Sequence, residues 1–354
     1  MRAIEGNIKQ SFSSSVTQDT DLLHGRDAAT MTDSILPFKI STIFTSTMAL
    51  AANVLMVVSI IKSKTLRKKW STHFTVSFLI SSAASALSSM SVVVLSLIDS
   101  SAEEERTSSS VSTVLFGLLW TFGISHYFTS CALALTRLMA MMWPVKYQKL
   151  MSSKVAGFLI VLPWMLAALI CIPAFCGVMG KPDTKTVEYK PGHTRSENIT
   201  AMAYMATTVG GPVLTACSAY VAMFIQASRS QSATSFHEHH NSHHISQWKN
   251  GITRALLANI IIHISCNIPH AICHAVDSFN RDHVLKAAIH FMCTVQFMLD
   301  PLMFFIFAQE YRKASLELLN LTFRRGQRST PASSESYGAS KRFRVTLVQN
   351  TQDL

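Results

Sequence analysis

In the stretch 252–276 of this 354-residue chain, His263, Asn267, His270 and His274 interrupt an otherwise apolar run. They recur at separations of four, three and four residues, which places all four on one face of a helix. Imidazoles and an amide facing hydrocarbon are expensive, so the row must look into a helix bundle or a wet cavity. Such a cavity can take a polar ligand or sense protons, because a modest perturbation carries imidazole across ordinary pH. The competing reading is a set of packed histidines hydrogen-bonded to one another. His126 and His290, in two other apolar runs, can join the row at different depths. Trp120 either adds an aromatic wall to the cavity or packs between helices.

Two charged residues stand out beside this row. Asp300 is the strongest candidate for a buried acid, with Ser82 and Asn53 as plausible neighbours. Arg137 lies near the end of an apolar run, where its side chain can reach water or headgroups. Metal chemistry is a weaker reading. His270 and His274 have a spacing compatible with a shared ion, and His237, His239, His240, His243 and His244 can chelate one adventitiously, but the latter have no Cys partners or rigid frame. Neither set is assigned as a metal site, and no cofactor or catalytic chemistry is expected.

The elements that must position these residues are seven apolar runs, at 38–62, 73–98, 112–142, 155–178, 200–227, 252–276 and 284–308. Each is long enough to cross about 30 Å of hydrocarbon at about 1.5 Å per residue. The expected fold is therefore an all-α membrane protein, a seven-transmembrane helix bundle in contact with membrane lipids. Basic residues set its orientation. Lys62, Lys64, Arg67, Lys68 and Lys69 follow the first run, whereas Asp99, Glu103, Glu104 and Glu105 follow the second. The alternation puts the N-terminus outside and the C-terminus in the cytoplasm. A formal charge of +11 then reflects a basic inner surface against anionic lipid, with no nucleic acid required.

Outside the runs, 1–37 is a Ser/Thr-rich stretch expected to be a disordered outer tail, and 38–308 is the membrane domain. Residues 309–323 alternate charges with Tyr311, Leu316, Leu318, Leu319 and Phe323, the pattern of a short amphipathic helix on the inner surface. From 324 to 354 a disordered cytoplasmic tail carries Ser329, Thr330, Ser333, Ser334, Ser336 and Ser340 as phosphorylation candidates. Asn198-Ile199-Thr200 is a glycan acceptor pattern close to the fifth run. The seven Cys lie mostly in or beside apolar runs and do not form a disulfide framework.

Several residues, in order and on the matching runs, resemble the rhodopsin-like G protein-coupled receptors. Asn53 matches the family's first-helix Asn and Trp164 its fourth-helix Trp; Pro212 and Tyr220 match the fifth-helix pair. Arg137, with Pro144 and Tyr147 after it, is similar to the end of the third helix. Cys266 and Pro269 keep two members of CWxP, and Asp300-Pro301-Leu302-Met303-Phe304 resembles NPxxY. The departures are as informative. Thr136 stands where the family places an acid before the arginine, Ser82 at the sodium-site Asp, Asn267 at the toggle Trp, His263 at the aromatic before it, and Ser112 at the usual disulfide partner of Cys176. Lys249 stands at the helix-six position that often pairs with the arginine.

The resemblance implies a receptor in the plasma membrane that passes an extracellular peptide or small-molecule signal to a heterotrimeric G protein, with arrestin and receptor kinase as further partners. It implies activation and coupling roles for Arg137, Tyr220, Asp300, Pro301 and Phe304, packing roles for Asn53, Trp164, Pro212 and Pro269, and a pocket near Trp120, Asn267, His270, His274 and His290. Two other classes compete: a transporter or channel, and a non-coupling receptor relative that acts in trafficking or as a dimer partner. Clear repeated broken helices, which would favour the transporter, are absent from the sequence.

Overall fold

The computed structural model describes residues 34–99, 108–176, 181–183, 188–190, 203–204, 206–234, 251–275 and 283–329. Seven long helices follow one another: α1 (Ser34–Lys62), α2 (Trp70–Asp99), α3 (Ser108–Met142), α4 (Ser153–Phe175), α5 (Gly211–Thr234), α6 (Gly251–Ala275) and α7 (His283–Phe307). After a break at Ala308 comes α8 (Gln309–Ser329). Among the described residues, α1 to α5 and α7 are long and apolar enough to cross a membrane. α6 has 25 residues, also sufficient in length. The chain is a seven-helix membrane bundle, as its apolar runs require.

The boundaries differ from the expected ones for physical reasons. α1 starts at Ser34, so residues 34–37 belong to the helix and not to the tail. Pro37 is tolerated there because the first four amides of a helix have no intrahelical acceptor to lose. At the entry to α5, Ala206–Gly210 winds as a π-turn ahead of Pro212. The wider turn relieves the clash a proline ring makes with the carbonyl four residues back. α8 runs to Ser329, six residues past the expected end. A small antiparallel hairpin, β1 (Lys181–Asp183) with β2 (Glu188–Lys190), lies between α4 and α5. Strands of three residues are too short to show alternation in the sequence.

α3 is the central helix, packed against α2, α4 and α5, while α6 packs on α7 and α7 meets α2. The main apolar core occupies the half of the bundle nearest the basic segment Lys62–Lys69, here called the basic end. It gathers Met56, Phe74, Phe78, Leu133, Met223, Leu256 and Phe304, among others. Polarity is inverted relative to a water-soluble protein. Ser81, Ser82, Ser85, Thr129 and Asn53 are buried, while Phe44, Met165, Leu169, Leu214 and Val221 point outward. That arrangement suits a lipid surround, where outward apolar groups cost nothing and inward hydroxyls can find carbonyls. Ser81 Oγ donates to the Phe78 carbonyl at 2.7 Å and Ser85 Oγ to that of Ser81 at 2.9 Å, each within α2.

The described residues through Ser315 form one compact unit and those from Leu316 to Ser329 a second. In the first, the opening turns of α8 bring Tyr311, fully buried, within 3.4 Å of Thr75 Oγ1 on α2. Ser315 Oγ meets Met56 Sδ on α1 at 3.6 Å. On the exposed side Lys69 and Glu310 form an ion pair at 2.8 Å.

Candidate functional site

The deepest polar group joins three helices. His126 on α3, His263 on α6 and Asp300 on α7 converge, all essentially without solvent exposure. His126 Nε2 lies 3.2 Å from Asp300 Oδ2, and His263 Nε2 lies 3.2 Å from Asp300 Oδ1. The two Nε2 atoms are 3.3 Å apart. Ser82 Oγ reaches Asp300 Oδ2 at 2.9 Å, and Ser81 Oγ sits 3.3 Å from His126 Nδ1. Every heteroatom of the carboxylate thus has a partner, which is the condition for keeping a charge in so dry a place. Aromatic rings close the walls: Phe78 lies over His126 at 4.5 Å between centroids, and Phe297 meets it edge-on at 5.5 Å.

One helical turn farther from the basic end, a second polar ring repeats the same three-helix junction. Tyr127 Oη donates to Asn267 Oδ1 at 2.6 Å. Asn267 Nδ2 donates to Gln296 Oε1 at 2.9 Å and to the His263 carbonyl at 2.7 Å. Gln296 Nε2 closes the ring on Tyr127 Oη at 3.3 Å. Asn267 is therefore the hydrogen-bonding hub of this ring. Tyr127 and Gln296 were not singled out in the sequence. The available signal was Gln296 four residues before Asp300, which places both on one face of α7.

Prolines explain how α1 and α2 attach to this junction. Pro301 has no amide, so the Phe297 carbonyl four residues earlier loses its helical donor. Asn53 Nδ2 takes that carbonyl at 2.9 Å, and Ser82 Oγ lies 3.2 Å from it. Asn53 also donates to Ala49 O at 2.8 Å, so its amide bridges α1 to α7. Trp164 Nε1 donates to Ser77 Oγ at 2.9 Å, which ties α4 to α2. Pro212 is buried at the head of α5, and Pro269 lies inside α6.

Farther from the basic end, the His row separates by depth. His270 on α6 and His290 on α7 meet edge-to-face, 4.9 Å between centroids. His290 and His126 thus join different tiers: one pairs with His270, the other with His263. His274 belongs to α6, but its side chain lies outside the described residues, as do Asn198 and the His237–His244 segment. Trp120 packs against the Ile124, Ala167 and Cys171 cluster and lies 6.3 Å from the Tyr204 ring, on the α4 side of α3. Cys176 is a free thiol.

At the basic end the pattern changes. Arg137 Nε and Nη2, and Tyr220 Oη, are buried without a hydrogen-bond partner among the described residues. Thr136 Oγ1 turns back onto its own helix, donating to Leu133 O at 2.9 Å, so it does not hold the arginine. Lys249 lies outside the described residues. Tyr147, in the two-turn helix Pro144–Leu150, has its phenol pushed above the usual range by burial, and the Arg137 guanidinium partly opposes that rise. Phe304 is fully buried, edge-on to Tyr311 at 5.8 Å and to Phe78 at 6.0 Å. An aromatic column therefore runs from the histidine–acid junction to the basic end.

Seven membrane-length helices in one bundle, followed by a further helix, make the architecture of a seven-helix receptor. The chain matches the 7 transmembrane receptor (rhodopsin family) over residues 52–304 and belongs to that family. No match to a curated protein accompanies it.

Proposed function

We propose that the protein transduces an extracellular peptide or small-molecule signal to a heterotrimeric G protein across the plasma membrane, N-terminus outside and basic end inside. The observation that carries this reading is the contrast at α3. Its middle is bound to α6 and α7 by paired side chains, while Arg137 at its basic end has buried donors with nothing to bind. Buried guanidinium nitrogens without acceptors are costly, and a conformation or partner that supplies acceptors gains that energy back. Tyr220, whose hydroxyl is also unpartnered, is the nearest such group by family resemblance. A ligand that favours one packing of α6 and α7 shifts the population toward the coupled form.

The outer tier of His270 and His290, with Asn267 beneath, is the proposed ligand floor. Basic segments such as Lys62–Lys69 would face the G protein, and the Ser-rich stretch after 324 would serve kinase and arrestin. The test is direct G protein recruitment to the receptor in cells during a ligand screen, with Arg137→Ala compared at matched surface expression. Ligand-dependent recruitment lost in Arg137→Ala is the expected result. Stimulus-dependent current or uptake without recruitment would replace this reading with a transporter or channel. Altered trafficking of another receptor, again without recruitment, would replace it with a non-coupling partner.

A further inference from the structure

The deep junction brings together both histidine Nε2 atoms and both oxygens of the Asp300 carboxylate. The nitrogens are 3.3 Å apart, and each lies 3.2 Å from a different oxygen, His126 from Oδ2 and His263 from Oδ1. One ligand atom from each of the three residues lies within 4.8 Å of the others, close enough to share an ion. A tetrahedral zinc ion bound at about 2.0–2.1 Å sets its ligands about 3.3 Å apart, close to the spacing between the two nitrogens and between each nitrogen and its nearer oxygen. We propose that His126, His263 and Asp300 form a three-ligand site for a transition-metal dication of the zinc type.

Donor chemistry narrows the ion. Two imidazoles and one carboxylate suit zinc, copper, iron or nickel, whereas alkali and alkaline-earth ions prefer oxygen donors. Ser82 stands where the family's sodium-site acid would be, so the oxygen-rich arrangement for a hard monovalent ion is missing here. The supporting shell is already built. Ser81 Oγ lies beside the remote nitrogen of His126, and Ser82 Oγ bonds Asp300 Oδ2, the contacts that orient metal-binding imidazole and carboxylate. A water completes the coordination; its deprotonation cancels the positive charge that one carboxylate leaves on a dication. The ligands come from α3, α6 and α7, so a bound ion staples these helices together.

The purified full-length protein tests this, with His237, His239, His240, His243 and His244 changed to Asn so that this segment cannot contribute background binding. The protein is stripped with chelator, reloaded with zinc alone, freed of unbound ion, and assayed for metal content and unfolding midpoint. About one retained zinc per chain is expected for a site with three protein ligands and one water. The midpoint should rise by several degrees. His126→Gln and His263→Gln should abolish both effects, and Ser82→Ala should weaken retention by about tenfold.

Should the ligand variants fail to fold, cobalt loading of the protein with its three ligands intact decides the matter. Intense visible bands of four-coordinate cobalt support the site. A weak six-coordinate spectrum overturns it. So does protein that retains no zinc, in which case the three residues are a hydrogen-bonded cluster alone. Zinc retained equally by His126→Gln and His263→Gln also overturns the proposal.

Discussion

The middle and the basic end of α3 solve the same problem in opposite ways. At the middle, His126 and Tyr127 are buried with every described polar group bonded to α2, α6 or α7. Three turns on, two nitrogens of the half-buried Arg137 and the hydroxyl of the buried Tyr220 have no partner among the described residues, and neither does the amide of the buried Asn259 on α6. Fully satisfied buried networks rigidify a structure, whereas unsatisfied ones mark where a second arrangement gains energy. The difference teaches that this receptor is held at its centre and poised at its basic end. Stability and coupling should therefore be separable by mutation.

The largest effect is expected at Asp300. Asp300→Ala leaves two buried imidazoles facing each other without their carboxylate, the situation in which removing one partner of a buried pair costs about 3–5 kcal/mol. Thermal unfolding of purified protein and surface abundance in cells both report it. If Asp300→Ala unfolds like the parent, the centre is not the held region. Next comes Asn267→Leu, which leaves Tyr127 and Gln296 short of partners and should cost about 1–3 kcal/mol. Gln296→Leu should couple to it in a double-mutant cycle, because both belong to one ring.

The basic end should respond in the reverse sense. Arg137→Ala removes two buried unpaired donors, so unfolding should stay the same or move to higher stability while G protein recruitment disappears. Tyr220→Phe should likewise leave the midpoint unchanged and reduce recruitment. Because neither Thr136 nor, by charge, Lys249 can lock the arginine, signalling without ligand is expected in a surface-normalised assay. Ligand-free output no higher than in mock-transfected cells would show that the arginine is restrained by something else. The smallest effect belongs to the exposed Lys69–Glu310 pair, where Lys69→Met should cost at most about 1 kcal/mol and less at high salt.

Much of the architecture was legible because a bilayer allows few solutions: long apolar runs and alternating basic loops lead to a helix bundle. The placement of His263 and Asn267 inside the bundle followed from helical spacing and the cost of polar groups in lipid. Which residues meet them did not follow. Periodicity fixes the face of one helix but not its rotation against another, so His126, rather than His290, as the partner of His263 needed coordinates. Asp300 was recognisable as a buried acid with Ser82 nearby, yet its two imidazole partners lie 174 and 37 residues away in sequence, beyond any local pattern. Trp120 illustrates the converse. An aromatic in an apolar helix serves packing or binding equally well on paper, and only its contacts with Ile124, Ala167 and Cys171 place it between α3 and α4.

Pro301 acts as a socket. The vacancy it makes in the hydrogen-bond ladder is a main-chain oxygen, so the Asn53 bond needs only the backbone at 297, while the Phe297 ring separately packs on Ala49 of the first helix and Ala86 of α2. A residue 301 that regains its amide would compete for the same oxygen and loosen the joint.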